Sequence, residues 1–273
     1  MPYQEQDSHD LSQAILAKAK ELGADLAGIA DVSDLVDAPS FVVAPKIPPA
    51  TVGHSDGELA PGVVEWPEEA QSVIVVALAH PADKPELDWW HGKHQPPGNR
   101  ELIRITKNLR EWLSNVDDNI ETYKVPYHTE KGGIFLKDAA VKANLGIVGR
   151  NNLFITPEFG PRVRMRTIIV NKKLYNPLQP ISFDPCSGCD GHCLRSCPQG
   201  AFNKVIYDQA EMGHNLLPGI IGNYNRFKCN DQMEKDIERS LANPETVYYE
   251  PAGETVTLIK YCRRCELSCP VGD

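Results

Sequence analysis

All eight cysteines of this 273-residue chain lie in its last third, in two dense groups with a single cysteine between them. The first group, CSGCDGHCLRSCPQGA, carries Cys186, Cys189, Cys193 and Cys197 and ends on Pro198. The second, CRRCELSCPVG, carries Cys262, Cys265 and Cys269 and ends on Pro270, while Cys229 stands alone. Disulfide scaffolds belong to small secreted chains that are short of core. A long cysteine-free segment ahead of crowded cysteines is instead the distribution of metal ligands. In two-cluster ferredoxin patterns, three closely spaced cysteines hold one [4Fe-4S] cube and the fourth, before proline, crosses to the other. Applied here, Cys186, Cys189, Cys193 and Cys269 hold one cluster, and Cys197, Cys229, Cys262 and Cys265 hold the second. That assignment uses every cysteine. A pair of four-thiolate zinc sites is the competing reading, since tetrahedral zinc tolerates such spacings; the two Cys-Pro endings favour cubes. Three residues rather than two separate Cys189 from Cys193, and Gly188 and Gly191 give the backbone room for the extra one.

The remaining length fits one large domain followed by a small module. Residues 1–182 read as α/β. Leu11, Ile15, Ala19 and Leu22 recur at helical spacing behind Ser8 as a cap, and Asp25–Ala30 reads as a short strand. Val73–Ala79 is nearly continuous in apolar residues and reads as a central strand buried on both faces. Leu102, Ile105, Leu109 and Trp112 mark a second amphipathic helix, and Gly133–Asn144 a third. Leu153–Ile155 and Val163–Val170 read as strands, and Pro39–Pro67 and His80–Asn99 as irregular excursions. Residues 183–273 form the cysteine module, with an insertion near 203–228.

The chain carries 28 Lys and Arg against 37 Asp and Glu, a formal charge of −9, which argues against nucleic acid as the main partner. Two clusters, each adding −2, would bring −9 to −13, an excess that favours a basic electron donor or simply solubility. The longest apolar run is far too short for a membrane span. No basic segment followed by an apolar one opens the sequence, and no twin-arginine leader is present, so a cytoplasmic location is expected. No GxGxxG or P-loop appears, so neither a dinucleotide site nor nucleotide hydrolysis is supported.

Lys131–Leu174, KGGIFLKDAAVKANLGIVGRNNLFITPEFGPRVRMRTIIVNKKL, together with the cysteine module, resembles the corrinoid-dependent iron–sulfur reductases that include epoxyqueuosine reductase and the reductive dehalogenases. The likeness is densest at 131–202 and 261–271, and ANLGIVGRN (143–151) corresponds to that family's glycine-rich segment. It implies an α+β fold: a mixed-sheet, nitroreductase-like cofactor domain with helices, followed by a ferredoxin-like double [4Fe-4S] module. It also implies cobalamin or a related corrinoid in the large domain, with Gly146, Gly149, Arg150 and Asn151 against the ring or its tail. At the place where the family carries its proton donor this chain has VPYHTEKGG, offering Tyr127, His128, Glu130 and Lys131. His80, His91 and His94 read as polar loop histidines, Trp89 and Trp90 as a pocket wall or loop packing, and the alternating Arg162, Arg164 and Arg166 as a solvated strand face, with one rim contact to a cofactor phosphate or redox partner as the alternative.

The expectation is therefore a corrinoid-dependent reductase of a small molecule, fed by an external low-potential donor such as ferredoxin or flavodoxin. Two alternatives stand beside it. One is a ferredoxin-type electron-transfer protein that reductively activates a separate corrinoid protein; the other is a flavin-containing iron–sulfur reductase.

Overall fold

The computed structural model describes residues 2–49, 52, 63–124, 126–127 and 129–272, the side chains of residues 2–7 and 130 excepted. The chain opens with a helix, α1 (Pro2–Glu21). Ser8 lies inside it rather than at its start, because Pro2 already supplies the fixed φ that suits a first helical turn. The Ser8 hydroxyl donates to the Lys173 carbonyl at 2.9 Å instead of capping. After β1 (Leu26–Asp31), Asp31 caps the short α2 (Val32–Leu35) by accepting from the Ser33 amide. Pro39 then opens α3 (Pro39–Val43), so the first part of the expected extended excursion is helical. Phe41 of α3 stacks on Trp66 at 5.7 Å and meets Phe135 edge-on at 4.9 Å.

Three further strands, β2 (Ser72–Ala79), β3 (Trp90–His91) and β4 (Thr122–Tyr123), flank the long helix α4 (Pro97–Val116). Next come α5 (Leu136–Lys142), the paired β5 (Ile147–Val148) and β6 (Phe154–Ile155), and β7 (Val163–Val170). The helix expected over 133–144 is confined to α5, and Asn144, at φ 58°, takes the left-handed position that ends it.

The main sheet runs β1-β2-β7-β4, and every pairing in it is antiparallel. That corrects the mixed sheet expected from sequence. A continuous apolar strand reports burial on both faces, not direction. Ile74 and Val76 of β2 join the core with α1 and α4, while Val73, Val75 and Ala77 face the second core with α5.

The remainder comprises α6 (His192–Arg195), α7 (Gln209–Met212), α8 (Arg226–Ala242), the hairpin of β8 (Glu245–Tyr249) and β9 (Glu254–Ile259), and α9 (Arg264–Leu267). β3 from the large domain pairs with β9, giving a second sheet of order β3-β9-β8. That pairing joins the cysteine-bearing part to the rest. Among the described residues no helix is long and apolar enough to cross a membrane.

Candidate functional site

Cys186, Cys189, Cys193 and Cys269 line one cavity, together with Asn151, Ile155 and His192. All eight cysteines are free thiols. Cys269 reaches this cavity because the C-terminal loop crosses the β6–β7 turn at very short range. A Cβ on Gly160, at φ 56°, would lie 1.9 Å from the Val271 carbonyl oxygen, so only glycine permits the crossing. From the position just before β7, the buried Arg162 guanidinium holds the same loop by donating to the carbonyls of Cys269 (3.3 Å) and Val271 (2.7 Å).

Three of the other four thiols gather on a small apolar cluster. Cys197, Cys229 and Cys265 pack against Ala201, Phe202 and Tyr224, and the Ala201 amide donates to Cys197 Sγ at 3.4 Å. Burial pushes the Cys265 thiol well up, with the sulfurs of Cys229 and Cys262 adding to the shift. Burial likewise raises Cys262, with Asp236 and Cys229 pushing the same way. In the first set, burial raises Cys193, reinforced by Cys269, Cys186 and Cys189. Cys193, Cys262 and Cys265 thus resist ionisation, a penalty that a cationic centre would remove. Among the described residues no three His, Cys, Asp or Glu side chains converge on the geometry of a single ion.

The glycine-rich segment serves the junction between these sites. A Cβ on Gly146 would lie 2.1 Å from the Ile155 carbonyl oxygen, and one on Gly149 would meet Ile155 Cδ1 at 2.3 Å. Both glycines therefore let the β5–β6 hairpin close. The Arg150 amide donates to Cys186 Sγ at 3.5 Å and its guanidinium to the Cys189 carbonyl at 3.2 Å. Asn151 is buried and donates to the Cys265 carbonyl at 3.4 Å, while its Oδ1 accepts from the Leu153 amide. One turn thus touches both cysteine sets. Behind it, the Lys137 amine donates to the Asn152 carbonyl at 2.8 Å, and burial lowers its pKa to about 8.

Sequence reading missed a buried charged network that ties the second cysteine loop to the large domain. Asp88 lies 2.7 Å from Arg164 Nε and 3.3 Å from Arg263 Nε, and accepts from the Tyr261 hydroxyl at 2.8 Å. Arg263 also pairs with Glu266 and donates to His80 Nδ1 at 2.7 Å. Burial lowers the His80 pKa to about 4; Asp88 opposes that shift, and Arg263 and Arg164 add to it. His80 is therefore neutral near pH 7, as an acceptor for Arg263 must be. Burial works against the Arg164 charge, but Asp88 and Tyr261 outweigh it and hold the guanidinium protonated. The alternation of Arg162, Arg164 and Arg166 was the available signal. Those side chains turn inward, contrary to the solvated face expected.

Of the proton-donor candidates, Tyr127 is partly exposed, with the Arg166 guanidinium 5.1 Å above its ring. Arg166 Nε is buried and finds no hydrogen-bond partner among the described residues. Lys131 is exposed at the end of a 3₁₀ turn (Thr129–Lys131). His128 and the side chain of Glu130 lie outside the described residues. His91 and His94 do not join His80: His94 pairs with Glu254 at 3.0 Å and stacks on Tyr249. Trp89 lies under Lys260 Nζ at 4.8 Å, and Trp90 packs against Tyr261 at 5.5 Å.

No family model matches the chain. It is 28% identical over 212 residues to an epoxyqueuosine reductase of Listeria monocytogenes, covering 65% of this chain and 55% of that protein. Over 67 residues, 24% of this chain and 13% of the relative, it is 40% identical to a tetrachloroethene reductive dehalogenase of Sulfurospirillum multivorans. The chain spans about half the length of the curated epoxyqueuosine reductases it matches over most of its sequence. Among solved structures, an epoxyqueuosine reductase from Streptococcus thermophilus superposes with a TM-score of 0.57 at 19% identity, over 95% of this chain and 65% of that one. A catabolic reductive dehalogenase in complex with 3-bromo-4-hydroxybenzoic acid gives 0.60 at 18% identity, over 98% and 33%.

Proposed function

The chain belongs to the iron–sulfur reductase family that includes epoxyqueuosine reductase and the reductive dehalogenases, and on that premise we propose that it is a corrinoid-dependent reductase of a small molecule. Two [4Fe-4S] clusters would be held in crossed ligation, one by Cys186, Cys189, Cys193 and Cys269 and the other by Cys197, Cys229, Cys262 and Cys265. The observation that carries this reading is the position of Cys269. It stands four residues after Cys265 in sequence, yet lines the cavity of the first three cysteines. Eight thiolates in two crowded sets match the demand of two iron–sulfide cubes. The clusters would relay single electrons from an external low-potential donor such as ferredoxin or flavodoxin.

A corrinoid, when bound, supplies the low-valent cobalt that carries out the difficult reduction. The buried, unpartnered Arg166 Nε fits such a group, since it offers a donor to an amide or phosphate of the cofactor. Gly146, Gly149, Arg150 and Asn151 would stand between that cofactor and the cysteine loops. Tyr127, beside Arg166, is the first choice of proton donor: its hydroxyl would give up a proton to the reduced substrate. His128, Glu130 and Lys131 complete the set of candidates on this segment.

Anaerobically prepared protein should contain eight irons and eight acid-labile sulfides per chain, the number set by two four-iron cubes, and should bind base-off cobalamin saturably. Zinc without labile sulfide would overturn the cluster assignment. Clusters without corrinoid binding would turn the reading toward an electron carrier for a separate corrinoid protein. Tyr127→Phe should leave the clusters and corrinoid binding intact and slow turnover by about 10²-fold; undiminished turnover removes Tyr127 from the mechanism.

A further inference from the structure

The turn at residues 149–152 touches both cysteine sets with chemically different residues. Arg150 brings a guanidinium to the Cys189 carbonyl, and its amide points at Cys186 Sγ. The next residue, Asn151, brings only a neutral amide to the Cys265 carbonyl. We propose that Arg150 sets the cluster held by Cys186, Cys189, Cys193 and Cys269 at a higher reduction potential than its neighbour, making it the site where an incoming electron settles. This rests on the two-cluster reading given above.

The physical argument is electrostatic. Reducing a cube adds one negative charge, and a fixed cation beside it lowers the cost of that charge. Hydrogen bonds to ligand sulfur also raise the potential, but the Arg150 amide on Cys186 Sγ is matched by the Ala201 amide on Cys197 Sγ, so the difference between the sets rests on the guanidinium. Other charges face these loops and were weighed. Asp184 accepts from the Cys186 and Ser187 amides, but the residue is exposed, so water screens it. Arg162 acts on the same side as Arg150, through the Cys269 and Val271 carbonyls. At the second set, Arg264 is exposed, and Asp236 is paired with Arg239. Glu266 is buried and already paired with Arg263. Arg226 donates to the Tyr224 hydroxyl at 3.4 Å beside the second set, and Arg263 there is offset by Glu266 and Asp88. The first set, with Arg150 and Arg162 on its carbonyls, therefore keeps the larger share of positive charge among the described residues.

The step is a plain electron transfer. The second cluster, reduced by an external one-electron carrier, would lose one electron and the first would gain it, with no bond or proton moving. The placement is functional, because the first cavity is the one walled by Asn151 and Ile155 of the large domain, where the reduction is proposed to occur.

The test is a redox titration of the holoprotein followed by electron paramagnetic resonance, comparing wild type with Arg150→Gln and Arg150→Lys. The first cluster's signal is identified as the one lost in Cys193→Ala. Wild type should show that signal at the higher potential. Arg150→Gln should weaken its reduction equilibrium about tenfold, or about 59 mV for one electron. Arg150→Lys, which keeps the charge, should retain most of the wild-type value. Equal shifts in both variants, no shift in either, or a shift confined to the second signal would each overturn the proposal. Absence of two separable cluster signals in wild type would overturn the reading on which it rests, which is a different result from two signals that ignore Arg150.

Discussion

The two cysteine sets share one side-chain chemistry but are joined to the large domain in different ways. The first is fastened through backbone: Arg150 and Arg162 donate to carbonyls of its loops, and Gly160 lets the C-terminal loop cross within van der Waals range. The second has one carbonyl contact, from Asn151 to Cys265, and is fastened chiefly through buried side-chain charge, with Asp88 and His80 of the large domain holding Arg263 between Cys262 and Cys265. Carbonyl contacts fix a loop's position and tolerate changes of side chain nearby. A buried charge network fixes position only while every member is present, because each unpaired charge left inside is costly. The first attachment is therefore expected to fail locally and the second cooperatively.

Removing a ligand gives the largest effect and tests whether the sets cross. Cys269→Ala should abolish the first cluster and leave the second, so iron falls from eight to about four per chain. Loss of the second cluster alone would show that the ligation does not cross. A smaller but global effect is expected from Asp88→Asn, which leaves Arg164 and Arg263 buried with a neutral neighbour. It should cost about 3 to 5 kcal/mol, a fall in Tm of roughly 10 °C, and release iron from the second cluster before the first. Loss from the first cluster alone would erase the distinction between the two attachments.

The smallest effect concerns pH. The His80 pKa is lowered from 6.5 to about 4 in the folded chain. As pH falls below the unfolded value, the unfolded chain takes up the proton first, so stability from this group is full above about 6.5. It is lost progressively down to the folded pKa. By about pH 5.5 the loss should be on the order of 1 kcal/mol. Chemical denaturation of wild type and His80→Gln at about pH 7.5 and 5.5 should show a shallower pH dependence in the variant. Identical slopes would mean that His80 does not titrate against this network.

The gathering of Cys269 with Cys186, Cys189 and Cys193 in one cavity was legible because short fixed spacings and a proline after the last cysteine leave a local signature, while their role as ligands is the proposal made above. The long strands were legible for a similar reason, since Val73–Ala79 and Val163–Val170 are written in contiguous residues and reappear nearly unchanged as β2 and β7. Strand direction was not, because burial on both faces looks alike in parallel and antiparallel sheets. Nor was the place of Ser8, whose hydroxyl serves Lys173, 165 residues away. The roles of Arg150 and Asn151 divide between two loops that are distant in sequence, and the network of His80, Asp88, Arg164, Arg263 and Glu266 draws on four separate stretches of chain. Spacing can encode what adjacent residues do for one another. Which charge is buried against which partner depends on contacts that exist only after the sheet has brought β2, β7 and the cysteine loops together, and the tertiary structure alone decides it.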